Sequence, residues 1–360
     1  MHWSLYPAKS QFDNFAQMWD CLNRRLFYAH PLFDSRFIRP LVRHFATERD
    51  VLALHEDEER CNSMLLLTPR GAGMWGTFLP SQTQVSPILP DEHVDVDGLL
   101  RCLPGMNIAL ELFCQDPLYS AFPPAPVHGS HVVTPHAITV NIELSGDFDR
   151  YWQSRSKSLR NNLKRSLRRI SEDGLELRMD VVTQPTKIEK AFTRYGDIES
   201  RSWKGKAGTA IHRDNSQGQF YWEMLQGFAQ DHQAAIYELY LDERLASSML
   251  TIANDYMLIT LKTTYDESLA FYAPGRLLDY FLLEREFAEK RYAVVEYYTN
   301  ASPDLQSWGT GMRTINHLTV YRSRVFKQLV QVYQRAKQYG YGWYETAFAG
   351  GSIAWNIFGS

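Results

Sequence analysis

The sequence predicts an α+β fold in which mixed, mostly antiparallel sheets are flanked by helices. Its 360 residues exceed what one hydrophobic core usually supports, which indicates two domains. Two stretches of helical spacing precede short strand patterns near the N-terminus, and a strand meander over residues 235–264 leads into a strongly periodic helix. We therefore expect an N-terminal domain over residues 1–135, a second domain over 136–322, and a C-terminal helix and tail over 323–360.

The composition excludes several classes of protein. A hydrophobic fraction of 44% with 22% charged residues is ordinary for a globular chain and excludes a disordered or fibrous one. The net charge of -3 argues against a protein that coats DNA, because sequence-independent binding to phosphates needs a basic surplus. Any binding of anions is therefore expected to be local.

The sequence also carries few signals for export, metals or nucleophilic catalysis. The opening residues, MHWSLYPAKS, lack the features of a secretory leader, and no stretch approaches the roughly 18 uninterrupted apolar residues of a membrane span, so a cytoplasmic protein is expected. No CxxC or HExxH motif occurs, so we expect no metal. No GxSxG or P-loop motif occurs either, so neither a serine nucleophile nor nucleotide hydrolysis is indicated. The four cysteines, expected to be buried reduced thiols, are Cys21, Cys61, Cys102 and Cys114.

The periodicity of apolar residues predicts the elements in order. In the N-terminal domain they are helices over 12–27 and 33–45, a hairpin of strands 51–55 and 63–67, a proline-rich loop over 77–92, a short helix around Leu99, a strand over 107–113 and a linker over 117–135. In the second domain they are a strand over 136–144, a helix that begins near Asp147 or Asp149 and is ended by Gly174, helices over 187–203 and 219–232, strands 235–241, 245–252 and 256–264, a helix over 277–290, and strands 294–299 and 318–321.

The predicted helix that Gly174 ends has a one-sided charge. Residues 150–169 include eight basic side chains and no acidic one, and Arg160, Lys164 and Arg168 lie beside an apolar stripe. Three interpretations stay open: a solvated face, a site for an anionic substrate, or a site for RNA. Because solvated faces usually mix charges of both signs, the first is somewhat disfavoured.

A proline-glycine turn leads from the meander into the next helix. The start of a helix leaves backbone N–H groups unpaired, and together with the helix dipole they form a site for a pyrophosphate. Gly275 permits close approach of the backbone, and Arg276 suits the first turn better if it faces an anion. The alternative is that Pro274 and Gly275 only mark the beginning of a helix.

The chain around this turn resembles a known family, the cellulose-biosynthesis-type acetyltransferases of the GNAT superfamily. The resemblance covers roughly residues 136–325, and the N-terminal part resembles the degenerate GNAT-like half found in doubled, Fem-like architectures. It rests on five segments in one order: 155–169, ESRSWKG at 199–205, LDERLA at 241–246, TYD at 264–266 and YAPGRLL at 272–278.

The resemblance implies tandem GNAT-like domains and a site for acetyl-CoA or another acyl-CoA. The fourth and fifth strands of the second domain would splay apart and hold the pantetheine arm near residues 260–264, including Thr263 and Thr264. The pyrophosphate would lie on the amides of Gly275, Arg276 and Leu277, after Pro274. Two departures from the family pattern concern Ala273, where the family has serine, and residues 304–308, which lack a lysine.

Acyl transfer to an amine needs a proton acceptor and a donor to the leaving group. Glu199 is the first candidate for the base, because the resemblance places the adjoining Trp203 and Lys204 near the acceptor; a solvated helix residue is the alternative. Tyr265 is a candidate acid or orienting group. Asp266 ends the same strand, where turn formation is the competing explanation.

The sequence thus predicts an acyl-CoA-dependent N-acyltransferase acting on a small-molecule or polymer amine, with an oligomer possible. One rival is a Fem-type transferase, which would use aminoacyl-tRNA and is the only interpretation that involves nucleic acid. The other is a non-catalytic GNAT-like module that binds an anionic ligand.

Overall fold

A computed structural model describes residues 2–57, 60–92, 94–119, 130–202, 205, 208 and 210–332. The strands are β1 His2–Pro7, β2 Val51–Glu56, β3 Cys61–Gly71, β4 Met74–Thr77, β5 Ile88–Leu89, β6 Ala109–Gln115, β7 Ser130–Glu143, β8 Leu177–Val182, β9 Ala234–Leu241, β10 Arg244–Ala253, β11 Met257–Tyr265, β12 Val294–Tyr297 and β13 Gly311–Tyr321. The helices are α1 Ala8–Phe27, α2 Ser35–Phe45, α3 Val96–Cys102, α4 Phe148–Ser154, α5 Lys157–Glu172, α6 Pro185–Arg201, α7 Ser216–Ala229, α8 Pro274–Glu289 and α9 Pro303–Gln306, with 3-10 turns at Pro31–Phe33 and Glu267–Tyr272.

The strands form one mixed sheet. Its order is β1-β2-β3-β4-β6-β13-β7-β12-β11-β10-β9-β8, with β5 paired to β3. Two neighbouring pairs, β4 with β6 and β11 with β12, are parallel, and the others are antiparallel. Helices flank this sheet, so the predicted mixed α/β fold class is confirmed.

The two halves of the sheet repeat the same connectivity. Each begins with an outer strand, continues through two helices into a three-stranded antiparallel meander, and returns through a helix to a strand parallel to the last meander strand. In the first half these elements are β1, α1, α2, β2–β4, α3 and β6; in the second they are β8, α6, α7, β9–β11, α8 and β12. The long strands β7 and β13 pair in the centre of the sheet. The repeated connectivity of the two halves is the one expected of two GNAT-like units.

The helices divide between separate hydrophobic clusters. The largest cluster joins α1, α2, α6 and α7 with strand residues from both halves, including Leu54 and Leu250. A second cluster packs α4, α5 and α8 against β9–β12, and a third packs α3 against β3 and β6. The strands of the second half therefore lie between α8 on one face and the helices of the largest cluster on the other. This arrangement positions the end of β11 next to the beginning of α8.

Several predicted elements differ from the structure. The single helix predicted between Asp147 and Gly174 is wrong, because Arg155 has extended backbone angles and the Ser156 side chain caps a new helix, α5. The predicted end at Gly174 agrees with the end of α5 at Glu172. Strands β1 and β8 were not predicted, since each is a short outer strand with an incomplete alternation. The predicted linker is partly strand, because β7 begins at Ser130 and continues through the proposed boundary at 135 and 136.

The predicted strand pairings are confirmed. The hairpin is formed by β2 and β3, and the meander by β9–β11. Among the described residues no helix has the length and apolar character needed to cross a membrane. The four cysteines are free, and Cys114 is buried as expected. The expectation of burial is wrong for Cys21, which is exposed on α1, and Cys61 and Cys102 are only partly buried. The predicted tail beyond residue 332 lies outside the described residues.

Candidate functional site

Strands β11 and β12 diverge after a short parallel contact. Their register covers only Met257 to Ile259 against Val294 to Glu296, whereas β11 continues to Tyr265. A bulge near Leu261 interrupts the pairing of β11 with β10, and Thr260 Oγ1 donates to the Glu296 carbonyl at 3.3 Å. The parallel pairing therefore ends at Ile259 and Glu296, and beyond it β11 has no partner strand on this side among the described residues. This opening lies where the resemblance implied a splay.

Helix α8 begins beside this opening without a side-chain cap. Ala273 precedes it in the left-handed region, at φ 53°, and no side chain of the described residues accepts a hydrogen bond from the first turn. Pro274 occupies the first helical position, and a Cβ added to Gly275 would meet no atom of the described residues within 4 Å. The start of α8 thus combines unpaired amides with open space, which suits a phosphate group.

The side chain of Arg276 has a protein partner. Its guanidinium donates to both carboxylate oxygens of Asp304, at 3.0 and 2.8 Å, on an exposed surface. This ion pair explains the basic residue in the first turn of α8 without a bound anion. Leu277, the next residue, is fully buried, and its amide already donates to the Ala273 carbonyl at 3.2 Å.

The basic helix α5 lies against the approach to α8. Arg169 donates to the Phe271 carbonyl at 2.8 Å and stacks on its ring, and Phe271 belongs to the 3-10 turn that precedes α8. Arg168 pairs with Glu172 at 3.4 Å, and Lys164 is exposed. The half-buried Arg160 has an Nε atom with no hydrogen-bond partner within the described part of the chain. The helix therefore borders the candidate phosphate site.

Glu199 is fully buried in the first hydrophobic cluster. Its carboxylate accepts hydrogen bonds from the Tyr195 hydroxyl at 3.0 Å and the Ile211 amide at 2.7 Å. Both oxygens are engaged, and the contact joins α6 to the segment that leads into α7. Trp203 and Lys204, the predicted acceptor contacts, lie outside the described residues.

The end of β11 carries the other predicted residues. Tyr265 is exposed, Thr263 is half-buried, and Thr264 is buried with its carbonyl accepting from the Ser247 hydroxyl at 2.8 Å. Asp266 caps the following 3-10 turn and pairs with Arg244 at 2.6 Å. Burial opposes ionisation of Asp266, but hydrogen bonds from Ser268 and Arg244 outweigh it and lower its pKa. The geometry therefore favours turn formation as the role of Asp266.

A buried ionic network lies at the splay and was not predicted. Arg313 of β13 donates to Asp116 at 2.7 Å and to Glu296 at 2.9 Å. The Arg313 side chain is 9% exposed, and the two carboxylates are 0% and 1% exposed. Burial raises the pKa of Glu296 to about 7, although Arg313 opposes that rise. Glu296 is therefore a carboxyl group that changes its charge near neutral pH.

The network extends to the helical side of the sheet. His30, which follows α1, lies 2.9 Å from the Tyr298 hydroxyl, and burial lowers its pKa to about 3. Burial raises the pKa of Tyr298. Arg313 also faces the rings of Tyr298 and Tyr119. Both His30 and Tyr298 are thus neutral near pH 7.

One signal in the sequence could have revealed this network. Glu296 interrupts an otherwise apolar and aromatic run, AVVEYY at 293–298, and a charged residue within a buried strand needs a partner. Its partner Arg313 and their neighbour Asp116 come from distant segments, so no local pattern identifies them. As for metals, the residues that the structure describes contain no cluster of three or more His, Cys, Asp or Glu placed to hold one.

Comparison with known proteins agrees with this geometry. Residues 157–303, which include β11, β12 and the start of α8, match the family model described as an acetyltransferase (GNAT) domain. No curated protein matches the chain. The GNAT part of the resemblance is thereby supported, and membership of the cellulose-biosynthesis-type family stays a prediction.

Solved structures share the fold at low sequence identity. FemX superposes with a TM-score of 0.52 at 9% identity, over 88% of this chain and 98% of that chain. The C-terminal domain of a putative lysylphosphatidylglycerol synthetase from Agrobacterium fabrum gives 0.52 at 11% identity, over 89% and 95%. A protein of unknown function from Bacteroides thetaiotaomicron gives 0.50 at 10% identity, over 87% and 97%. These likenesses show the fold alone.

Proposed function

We propose that this protein is an acyl-CoA-dependent N-acyltransferase that transfers an acetyl or longer acyl group to an amine. The observation that carries the proposal is the opening between β11 and β12 beside the uncapped start of α8. An extended thioester with a pyrophosphate needs both features together, a strand edge for its amides and a helix start for its phosphates. The GNAT match over residues 157–303 supports the same reaction class.

In this proposal the donor follows the free part of β11. The pantetheine amides bond to the backbone of residues 260–264, near Thr263 and Thr264. The pyrophosphate binds the amides of Gly275 and Arg276, whereas the Leu277 amide, expected from the sequence to join them, is engaged with the Ala273 carbonyl. The acceptor nitrogen attacks the thioester carbonyl, so a C–N bond forms and the C–S bond breaks. The amine loses one proton and the leaving thiolate gains one, and Tyr265 at the exposed end of β11 is our candidate for that donor.

We assign the base to Glu296 and a positioning role to Glu199. Glu296 lies at the end of the β11 and β12 contact, and its pKa of about 7 allows it to accept a proton at neutral pH. Glu199 accepts a hydrogen bond from the Ile211 amide and so ties α6 to the segment that leads into α7. An ammonium acceptor would be attracted to the Glu296 carboxylate in its ionised form.

Replacing Gly275 by valine is expected to give a folded protein with weakened binding of acetyl-CoA. The side chain would meet no described atom of the protein, but it would occupy the space in front of the helix amides. One lost charge-assisted hydrogen bond is worth roughly 1.5–3 kcal/mol, so the affinity should fall at least about tenfold. Isothermal titration calorimetry with acetyl-CoA measures this change.

The matched control is Ala288→Val, which adds a branched residue at an exposed position near the other end of α8. It should bind acetyl-CoA like the wild type. A folded Gly275→Val protein with unchanged affinity would contradict the proposed phosphate site. If the wild type does not bind acetyl-CoA, copurification of RNA would favour the Fem-type alternative, and its absence would favour the non-catalytic module.

The basic face of α5 gives a separate test. Changing Arg160, Lys164 and Arg168 together to glutamine should weaken binding of acetyl-CoA severalfold and reduce its dependence on salt, since the helix borders the phosphate site. Stability should change little, because such surface substitutions rarely exceed about 0.5 kcal/mol each. A triple glutamine variant of Lys9, Lys187 and Lys190 removes the same charge elsewhere. Equal affinities in both variants would mean that α5 is only a solvated face.

A further inference from the structure

A helical segment that follows β13 exposes a row of apolar side chains. Residues 324–332 are helical, and Val325, Leu329 and Val332 are 62%, 59% and 64% exposed. Their spacings of four and three residues place them on one face of the helix. We call this face the terminal stripe. The described part of the chain leaves it uncovered.

The helix is held against the central strands by its other side. The Lys327 ammonium donates to the His131 carbonyl of β7 at 3.4 Å, and the Arg322 amide donates to the Ile108 carbonyl at 2.9 Å. Phe326, on the face away from the terminal stripe, is half-buried. The terminal stripe therefore faces outward on a helix whose position is fixed.

Three basic side chains accompany the terminal stripe without a carboxylate partner. Arg322, Arg324 and Lys327 form no ion pair with any residue in the described ranges, and Arg322 and Lys327 bond only to backbone carbonyls. The sequence contains no acidic residue over 322–344. Apolar and basic side chains together on a helix are typical of a segment that binds an anionic surface.

The apolar surface continues beside the helix. Met106 is 77% exposed and precedes Asn107, whose carbonyl accepts from the Arg322 guanidinium at 3.5 Å. Val133, two residues beyond His131 on β7, is 51% exposed. Apolar and basic groups are therefore interspersed over this end of the molecule. A second copy docked through the same face would bring like charges together, which opposes a symmetric dimer.

The sequence that follows the helix has a matching composition. Residues 333–344 include four tyrosines and one tryptophan, the side chains that are enriched where lipid meets water. Residues 346–360 contain no charged residue and include Phe348, Trp355 and Phe358. This composition favours a lipid surface over an acidic protein as the partner of the basic helix.

We propose that the terminal stripe and its three basic side chains bind the surface of membranes that contain anionic lipids. The apolar side chains enter the boundary between headgroups and acyl chains, and the basic side chains contact lipid phosphates. A short apolar stripe with three cations gives a weak, reversible attachment that salt opposes. The attachment uses no residue of the opening between β11 and β12, so it is independent of the proposed acyl transfer.

Cosedimentation of the full chain with vesicles tests this attachment. We expect binding to phosphatidylcholine vesicles with about 30% phosphatidylglycerol, little binding to phosphatidylcholine alone, and release as NaCl is raised from about 0.1 to about 0.5 M. Arg324→Gln should weaken binding about fivefold, which corresponds to about 1 kcal/mol for one basic residue near an anionic surface. Leu329→Ser should weaken it at least as much, because it removes the largest side chain of the terminal stripe.

The controls are Arg49→Gln and Leu118→Ser, the same changes at exposed positions elsewhere, and both should bind vesicles like the wild type. Val325→Ser replaces Leu329→Ser if that variant does not fold. Absence of binding to anionic vesicles, or equal binding by the variants and their controls, would overturn the inference. So would a wild-type dimer that Leu329→Ser dissociates, or binding of polyglutamate without binding of vesicles, since these results indicate a second copy or an acidic protein. A chain that binds the vesicles but not acetyl-CoA would contradict only the proposed function.

Discussion

Replacing Glu296 by glutamine is expected to lower kcat for acyl transfer by about 100- to 10,000-fold, the usual contribution of a general base. Glutamine keeps the shape of the side chain and can still contact Arg313, but it cannot accept the proton of the attacking amine. The wild-type kcat should rise with pH through about 7, because Glu296 must be ionised to act and its pKa is raised to about 7 by burial. This rise should be absent in Glu296→Gln.

Two variants separate this effect from other causes. Burial also raises the pKa of Asp279 to about 7, so Asp279→Asn tests whether that group produces the same pH dependence; we expect it to leave the rise in place. Glu199→Gln should lower kcat without moving its midpoint, as befits a positioning residue. If Glu199→Gln removes the pH dependence and Glu296→Gln retains it, the two assignments must be exchanged.

Replacing Arg313 by methionine is expected to destabilise the protein by about 3–5 kcal/mol, the usual cost of removing one partner of a buried ion pair. Asp116 and Glu296 would then be buried together without their cation. The pKa of Glu296, already above its usual value, should rise further. Such a group is protonated in the folded state at pH 5, so the destabilisation should be smaller at pH 5 than at pH 8. Urea unfolding at both pH values measures it.

Arg276→Met serves as the comparison, because Arg276 forms an exposed ion pair with Asp304 and should contribute no more than about 1 kcal/mol. If Arg313→Met does not fold, the double variant with Glu296→Gln removes one of the two buried charges and should recover part of the stability. Equal effects of Arg313→Met and Arg276→Met would show that the buried network does not stabilise the fold.

The sequence allowed prediction of those parts of the fold that depend on neighbouring residues. The meander β9–β11, the turn at Pro274 and Gly275, and the long periodic helix α8 follow from local alternation, spacing and turn residues. Together these three elements predicted the position of the opening between β11 and β12. The break between α4 and α5 was missed because the apolar spacing continues across it, whereas the cap at Ser156 decides the conformation.

The buried network could not be predicted in the same way. His30, Asp116, Glu296 and Arg313 come from four separate elements, and they meet only because β13 returns to the centre of the sheet. The role of Glu199 was similarly hidden, since its partner Ile211 lies beyond the end of its helix. Contacts of this kind are set by the order of strands, which local periodicity does not determine.

The central position of β13 has a consequence for the way the chain is made. Gln115 at the end of β6 pairs with Asn316, so the first half cannot complete its sheet until almost all of the described chain has left the ribosome. Until then β6 presents an unpaired edge, and such edges promote association with other chains. Contacts between residues so far apart in sequence also slow folding. Nascent chains that stop before residue 311 should therefore depend on chaperones, whereas chains released after residue 321 should depend on them much less.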